Sequence, residues 1–305
     1  MTELEKYRKN IEKAREAYNN GNLKESITLF EEATEEVADE NDLLDLGLLH
    51  MENGNFPRAY DLISSVIEDF PNHPRGYYCL GYIYEEKEEF KNSLINYKKA
   101  YELEKRSSKY CFSLARIYDE LGLDKEAEEY YQKTIQLSKN DYWANLNLGS
   151  LYERNNVLDK ALNYTLEAYK IDSKKEMVNY NLGVIYARLE KYDLAMKHYL
   201  DEIKLENGYN LAYFNIGILY KDIYKDYENS KYYYLKGIQN NQESLSLWYN
   251  LGCVYALEEN FDDAYQCMLY VALKYKDIFE TIEKDNELEK FRKSEYYQKL
   301  KDEIR

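Results

Sequence analysis

The chain has 305 residues, a formal net charge of −16, 45% hydrophobic and 32% charged residues, and only 3 Pro and 12 Gly. The acid excess repels nucleic acid phosphates and anionic membrane surfaces, which argues against both as partners. The apolar share is too high for a disordered acidic tail, and no stretch approaches the roughly 18 apolar residues of a membrane span.

Scarce helix breakers and abundant Leu, Glu, Lys, Tyr and Ala point to a mostly helical chain with no internal linker. The first residues, MTELEKYRKN, lack a basic stretch followed by an apolar run, so the cytosol is the expected compartment. Thr2-Glu3-Leu4-Glu5 reads as a capping box that opens the first helix. A weak repeat copy, KAREAYNNGNLKESI, comes next. Seven stronger copies follow, from LGLLHMENGNFPRAY through LGYIYEEKEEFKNSL to LGCVYALEENFDDAY.

Small residues mark the register. Ala14, Gly47, Gly81, Ala115, Gly149, Gly183, Gly217 and Gly252 recur at spacings of 33 to 35. A second row follows about twelve residues on: Ser26, Ala59, Ser93, Ala127, Ala161, Ala195, Ser230 and Ala264. Two antiparallel helices that cross about 8 Å apart leave no room there for anything larger. Around them run a Leu/Ile row (Leu46, Leu80, Leu114, Leu148, Leu182, Ile216, Leu251) and a Tyr row (Tyr84, Tyr118, Tyr152, Tyr186, Tyr220, Tyr255). Phe30, Tyr97, Tyr131, Tyr199 and Tyr234 add large rings from the second helices. Apolar steps of three and four are those of amphipathic helices. The seventh copy is one residue longer, and the extra residue is expected at its turn.

This pattern resembles the tetratricopeptide repeat family, whose unit is a 34-residue helix–turn–helix with Leu-Gly, Tyr, Ala and an aromatic in set places. The likeness covers about residues 7–276. The closing Pro of the family appears only as Pro71 and its leading Trp only as Trp248, while the first copy has Lys13 and Ala17 in place of Leu and Tyr. The resemblance implies an all-α, right-handed α-solenoid (superhelix) of about eight helix pairs. The repeats fall near 7–39, 40–73, 74–107, 108–141, 142–175, 176–209, 210–244 and 245–276. Residues 277–305 should cap the array. Ala264, Met268, Val271, Tyr275, Ile278, Phe279 and Ile282 read as one long final helix to about Glu283. A short helix carrying Leu288, Phe291, Tyr296, Tyr297 and Leu300 would follow.

Catalytic chemistry finds no support. His50, His73 and His198 fall in different repeats, and the glycines recur within helices, not as a phosphate-cradling loop. No Cys/His cluster has metal-ligand spacing, so neither a metal nor a cofactor is expected, and Cys79, Cys111, Cys253 and Cys267 read as packed thiols. The 36 Tyr are explained in large part by the repeat's own aromatic places, and a basic groove for single-stranded nucleic acid is missing.

Binding of a protein or peptide is the expected function. The resemblance implies that the first helices line a concave groove. Asn147, Asn181, Asn215 and Asn250 precede the Leu/Ile-Gly dipeptide in four consecutive repeats and would form a ladder there. An amide offers both donor and acceptor, so a ladder can pair with an extended backbone; equally, it can bond within the array. Tyr180, Phe214 and Tyr249 should face the same groove as apolar pockets. Arg116, Arg154 and Arg188, with Lys109, stand against Asp119, Glu120 and Glu153, a locally less negative stretch for a carboxylate-bearing segment. Pairing of these arginines with neighbouring glutamates is the plainer alternative. Two functions fit: an adaptor that holds an extended segment, monomeric or self-associating, or a sensor whose superhelix closes on a small signalling peptide.

Overall fold

The computed structural model describes residues 2–35, 38–205, 210–275 and 277–304; residue 276, where the repeats were expected to end, lies outside them. Helices and turns alone occur among the described residues, and the architecture is a tetratricopeptide-type all-α solenoid. Two compact units divide the chain, Met1–Leu151 and Tyr152–Arg305.

The first unit holds the pairs α1 (Glu3–Asn19) and α2 (Leu23–Thr34), α3 (Glu40–Glu52) and α4 (Phe56–Asp69), α5 (Pro74–Glu86) and α6 (Phe90–Leu103), and α7 (Ser108–Glu120) and α8 (Asp124–Leu137). The division falls within α9 (Tyr142–Arg154). The second unit continues with α10 (Leu158–Ile171), α11 (Val178–Arg188), α12 (Tyr192–Glu202), α13 (Leu211–Ile218), α14 (Tyr227–Asn240), α15 (Leu245–Leu257) and α16 (Phe261–Lys274). Between α13 and α14 runs a π-helical segment, Leu219–Tyr224. The chain closes with α17 (Ile278–Lys284), a 3-10 turn Asn286–Leu288, α18 (Glu289–Arg292) and α19 (Glu295–Ile304).

All sixteen small residues are buried. Their size is required by what faces them. A Cβ on Gly81 would sit 2.6 Å from the Tyr97 ring, on Gly183 2.4 Å from Tyr199, and on Gly217 2.2 Å from Tyr234. The Tyr that fills one repeat's core therefore lies against a backbone without a side chain, and any larger residue there forces the helices apart. At two of the three second-row serines the hydroxyl reaches the facing helix: Ser26 donates to the Ala14 carbonyl at 2.8 Å and Ser230 to that of Gly217 at 2.9 Å.

Turns between paired helices share one device. The second residue after the Tyr-row turn returns its N–H to a carbonyl five residues back, as from Glu89 to Tyr84 and from Leu123 to Tyr118, each 2.8 Å. This closes the helix end in a Schellman-like bond. In the seventh repeat the matching bond, Asp226 to Tyr220 at 2.9 Å, spans six residues. The extra residue is thus absorbed inside the helix as a π turn and not in the connecting turn, as expected from sequence.

Caps differ from repeat to repeat. Thr2 and Glu5 form the expected capping box, so α1 begins at Glu3, ahead of the expected repeat start near residue 7. At α11 the residue before the helix, Met177, has φ 71° and offers no side-chain cap. Glu202, fully buried on α12, supplies the acceptors instead, bonding the N–H groups of Met177 (3.1 Å) and Tyr180 (3.2 Å). Such a cap is worth about 1 kcal/mol.

The C-terminal segment corrects the sequence reading. The long final helix ends at Lys274, because Tyr275 adopts extended backbone and leaves its ring exposed. The break lets α17 turn back, so Ile278, Ile282, Leu288, Phe291, Tyr297 and Leu300 bury against Met268 and Val271. A straight helix would have carried those side chains past the core they cover. Arg292 secures the bend by donating to the Ile282 carbonyl at 2.7 Å and to that of Asp285.

Candidate functional site

In the first unit the charges of the first helices pair across neighbouring repeats. Arg15 reaches Asp42 at 2.7 Å and Asp45 at 3.3 Å, and Arg75 also binds Asp45. Arg116 reaches Glu85 at 2.5 Å; buried Glu85 also accepts from the Tyr97 hydroxyl at 2.6 Å. Burial and this carboxylate drive the Tyr97 phenol far above its ordinary pKa. Asn147 bonds the buried Tyr131 phenol, which also donates to Asp119 at 3.3 Å. Lys109 lies 3.9 Å from the centre of the Tyr78 ring, and desolvation lowers its pKa.

In the second unit Arg188 binds the Glu153 carboxylate and carbonyl and the Asn156 side chain at 3.0 Å. Arg154 is exposed and, like Asn181, already has partners within the chain. Asn215 bonds the Tyr199 phenol, and Asn250 donates to the Ser246 carbonyl of its own helix at 2.9 Å. Of the four ladder amides, each therefore makes an internal interaction while staying partly exposed. Tyr180, Phe214 and Tyr249 are half-buried. The Tyr180 ring lies 6.0 Å from that of Tyr199 and the Phe214 ring 6.4 Å from that of Tyr234. Tyr199 thus joins Tyr180 and Asn215 on two successive first helices. Tyr249 is committed elsewhere: its hydroxyl donates to Asp285 at 2.6 Å.

That bond belongs to a cluster absent from the sequence reading. Cys253, Asp285 and Glu287 bring three ligand-type atoms within 4.8 Å of one another. Lys221, from the π segment, places its ammonium on Glu287 and lies 3.2 Å from Asp222. The cationic place beside these carboxylates is filled by the chain's own lysine, and burial first, then the carboxylates, pushes the Cys253 thiol well above its ordinary pKa. A metal ion, which needs thiolate and carboxylates unencumbered, does not fit this arrangement. Two signals pointed here: the longer seventh repeat, and Lys221 in a place that holds Glu85, Asp119 and Glu153 in earlier repeats.

No described helix is long and apolar enough to cross a membrane. Family models described as Tetratricopeptide repeat match residues 44–109, 108–141 and 178–207. No curated protein matches the chain. The solved structure of pilF from Pseudomonas aeruginosa is 17% identical with a TM-score of 0.61, over 68% of this chain and 94% of that one. A tetratricopeptide repeat protein from Parabacteroides merdae is 15% identical with a TM-score of 0.61, over 81% and 98%. YrrB, described as a TPR protein with an unusual peptide-binding site, is 24% identical with a TM-score of 0.51, over 61% and 96%. At these identities the likeness is one of fold. Eight helix pairs with small residues at every crossing, and repeat models matched in both units, support a tetratricopeptide repeat protein.

Proposed function

We propose that the chain is a cytosolic, non-catalytic adaptor that holds a partner protein by an extended segment lying against the first helices of the second unit. The observation that carries this reading is the placement of Asn181 and Asn215 beside Tyr180 and Phe214. These are partly exposed amides next to half-buried rings on successive first helices. An amide that spends one N–H on a phenol keeps a second N–H and a carbonyl oxygen by valence, so Asn215 has capacity for a passing backbone. The bond to Tyr199 holds the amide in one orientation before the ligand arrives, which lowers the ordering cost of binding. The fold likeness to a protein described as carrying a peptide-binding site is consistent with this reading. Arg116 and Arg188 contribute less than their charges suggest, because each is already paired with a glutamate.

The experiment is affinity capture from native lysate, then titration of the captured partner against the Asn181→Ala/Asn215→Ala chain. Each lost bond should weaken binding by about 1 kcal/mol, roughly fivefold. Asn215→Ala also removes a partner from the Tyr199 phenol, so thermal melts must accompany the titration. Unchanged affinity in the folded double variant would place the site elsewhere.

A further inference from the structure

The π segment of the seventh repeat and the C-terminal segment meet at one seat. Lys221 is 5% exposed, and Glu287 binds its ammonium. Tyr249 and Cys253, on α15, both reach the same Asp285 oxygen, at 2.6 Å and 3.8 Å. Asp285 also caps the 3-10 turn, its other oxygen accepting from the Glu287 N–H at 2.9 Å. Leu288, next in the chain, is fully buried. Four consecutive residues, Asp285-Asn286-Glu287-Leu288, thus lie against first-helix residues of the seventh and eighth repeats.

An apolar cap alone does not call for this chemistry. Leu288, Phe291 and Leu300 already cover Met268 and Val271, and burying an ammonium costs free energy unless a carboxylate meets it. The seventh repeat nevertheless carries an extra residue, a π turn and a lysine where the third, fourth and fifth repeats carry acids. Between α17 and the ten-residue α19, which puts Tyr297 and Leu300 into the core, the stretch that meets this lysine is a 3-10 turn of three residues and α18 of four. Helices of that length have little stability of their own and detach when their packing is lost.

We propose that Asp285–Leu288 is an intramolecular ligand: Lys221, Tyr249 and Cys253 form a binding seat for an acidic peptide of the pattern acid–x–acid–aliphatic, kept closed by the chain's own copy and opened to a second such peptide when the stretch 285–292 lifts away while α17 and α19 stay in the core. Lys221 takes the second acid, Tyr249 and Cys253 take the first, and the core beneath takes the aliphatic side chain. The seat deepens the adaptor reading by naming a partner chemistry for its last two repeats, yet it is tested without the unknown partner.

The test uses the full chain and a fluorescein-labelled peptide of residues 283–292. Because the closed state hides the seat, the wild-type chain should bind this peptide weakly, and Asp285→Asn/Glu287→Gln, which keeps shape but removes both charges, should bind it at least ~10-fold tighter. Adding Lys221→Glu to that variant should abolish binding, as should a peptide with Ser in place of both acids. Circular dichroism confirms that each variant is folded; where one is not, Glu287→Gln alone replaces it. Equal affinity of wild-type and variant chains, or no binding by the folded variant, overturns the proposal. Either result leaves the Asn181 and Asn215 titration standing, since that experiment reads different repeats.

Discussion

The first-helix face of the first unit is neutralised by its neighbours, whereas the last repeats of the second unit are neutralised by the chain's own end. Asp42, Asp45 and Glu85 take guanidinium groups from adjacent repeats, with separations in sequence of 27 to 31 residues. Lys221 takes Glu287, 66 residues away. The places of Glu85 and Lys221, each four residues after the small residue of its repeat, thus carry opposite charges, and each is met by a partner of the opposite sign. Pairing between neighbours binds a repeat array together evenly. Pairing with the chain end makes two repeats depend on one segment.

Removing residues 277–305 breaks the comparison most severely. It uncovers Met268 and Val271, which the final segment buries, and leaves Lys221 without Glu287. At roughly 25 cal/mol per Å² of apolar surface, the local loss is several kcal/mol. The eighth repeat should fray or the chain aggregate, as read by hydrogen exchange and light scattering, while protection in Met1–Leu151 stays unchanged. A truncated chain that stays soluble and melts at the wild-type temperature would show that the segment contributes nothing to its neighbours.

A smaller effect sharpens the contrast among the acids. Glu85→Ala strips a partner from both Arg116 and the buried Tyr97 phenol, which should cost about 2 kcal/mol. Glu153→Ala removes a pair whose side chains are only partly buried, for which about 0.5 kcal/mol is expected. Urea melts of the two variants check this, and equal losses would count against a buried role for Glu85.

The smallest effect concerns pH and the second unit. His198 stacks on Tyr186 and contacts Asn179 at 2.9 Å. Burial first and Lys197 second lower its pKa below the ordinary 6.5, although Asp201 opposes them. The unfolded chain then binds a proton before the folded one does. Stability is full above about pH 6.5 and falls as pH drops through that value towards the folded pKa. His198→Gln should flatten this slope in melts between pH 7 and pH 5; an unchanged slope would assign it to other groups.

Much of the fold was legible because it repeats. Gly81, Gly183 and Gly217 are forced to be small by Tyr97, Tyr199 and Tyr234, and one steric rule stated several times over is readable without coordinates. The capping box at Thr2 and Glu5 was legible for another reason, since both partners lie within one turn. What occurs once was not. The break at Tyr275, the remote cap that Glu202 gives α11, and the Lys221–Glu287 pair each depend on partners 22 or more residues away, or on packing around a single residue. The ladder asparagines sit on first helices, and for Asn147, Asn215 and Asn250 the alternative that the sequence left open, bonding within the array, is present, to tyrosines and a backbone carbonyl. Periodicity selects a helix face; it does not choose among the hydrogen-bond partners on that face.

The central claim is that the chain's acidic end closes the first-helix face of its last two repeats. Native-state hydrogen exchange of the full-length chain with Glu287→Gln tests it most directly. Protection should fall at least ~10-fold across residues 285–292, with Met1–Leu151 unaffected. Unchanged protection across 285–292 would show that apolar packing alone holds the segment, and would contradict the account.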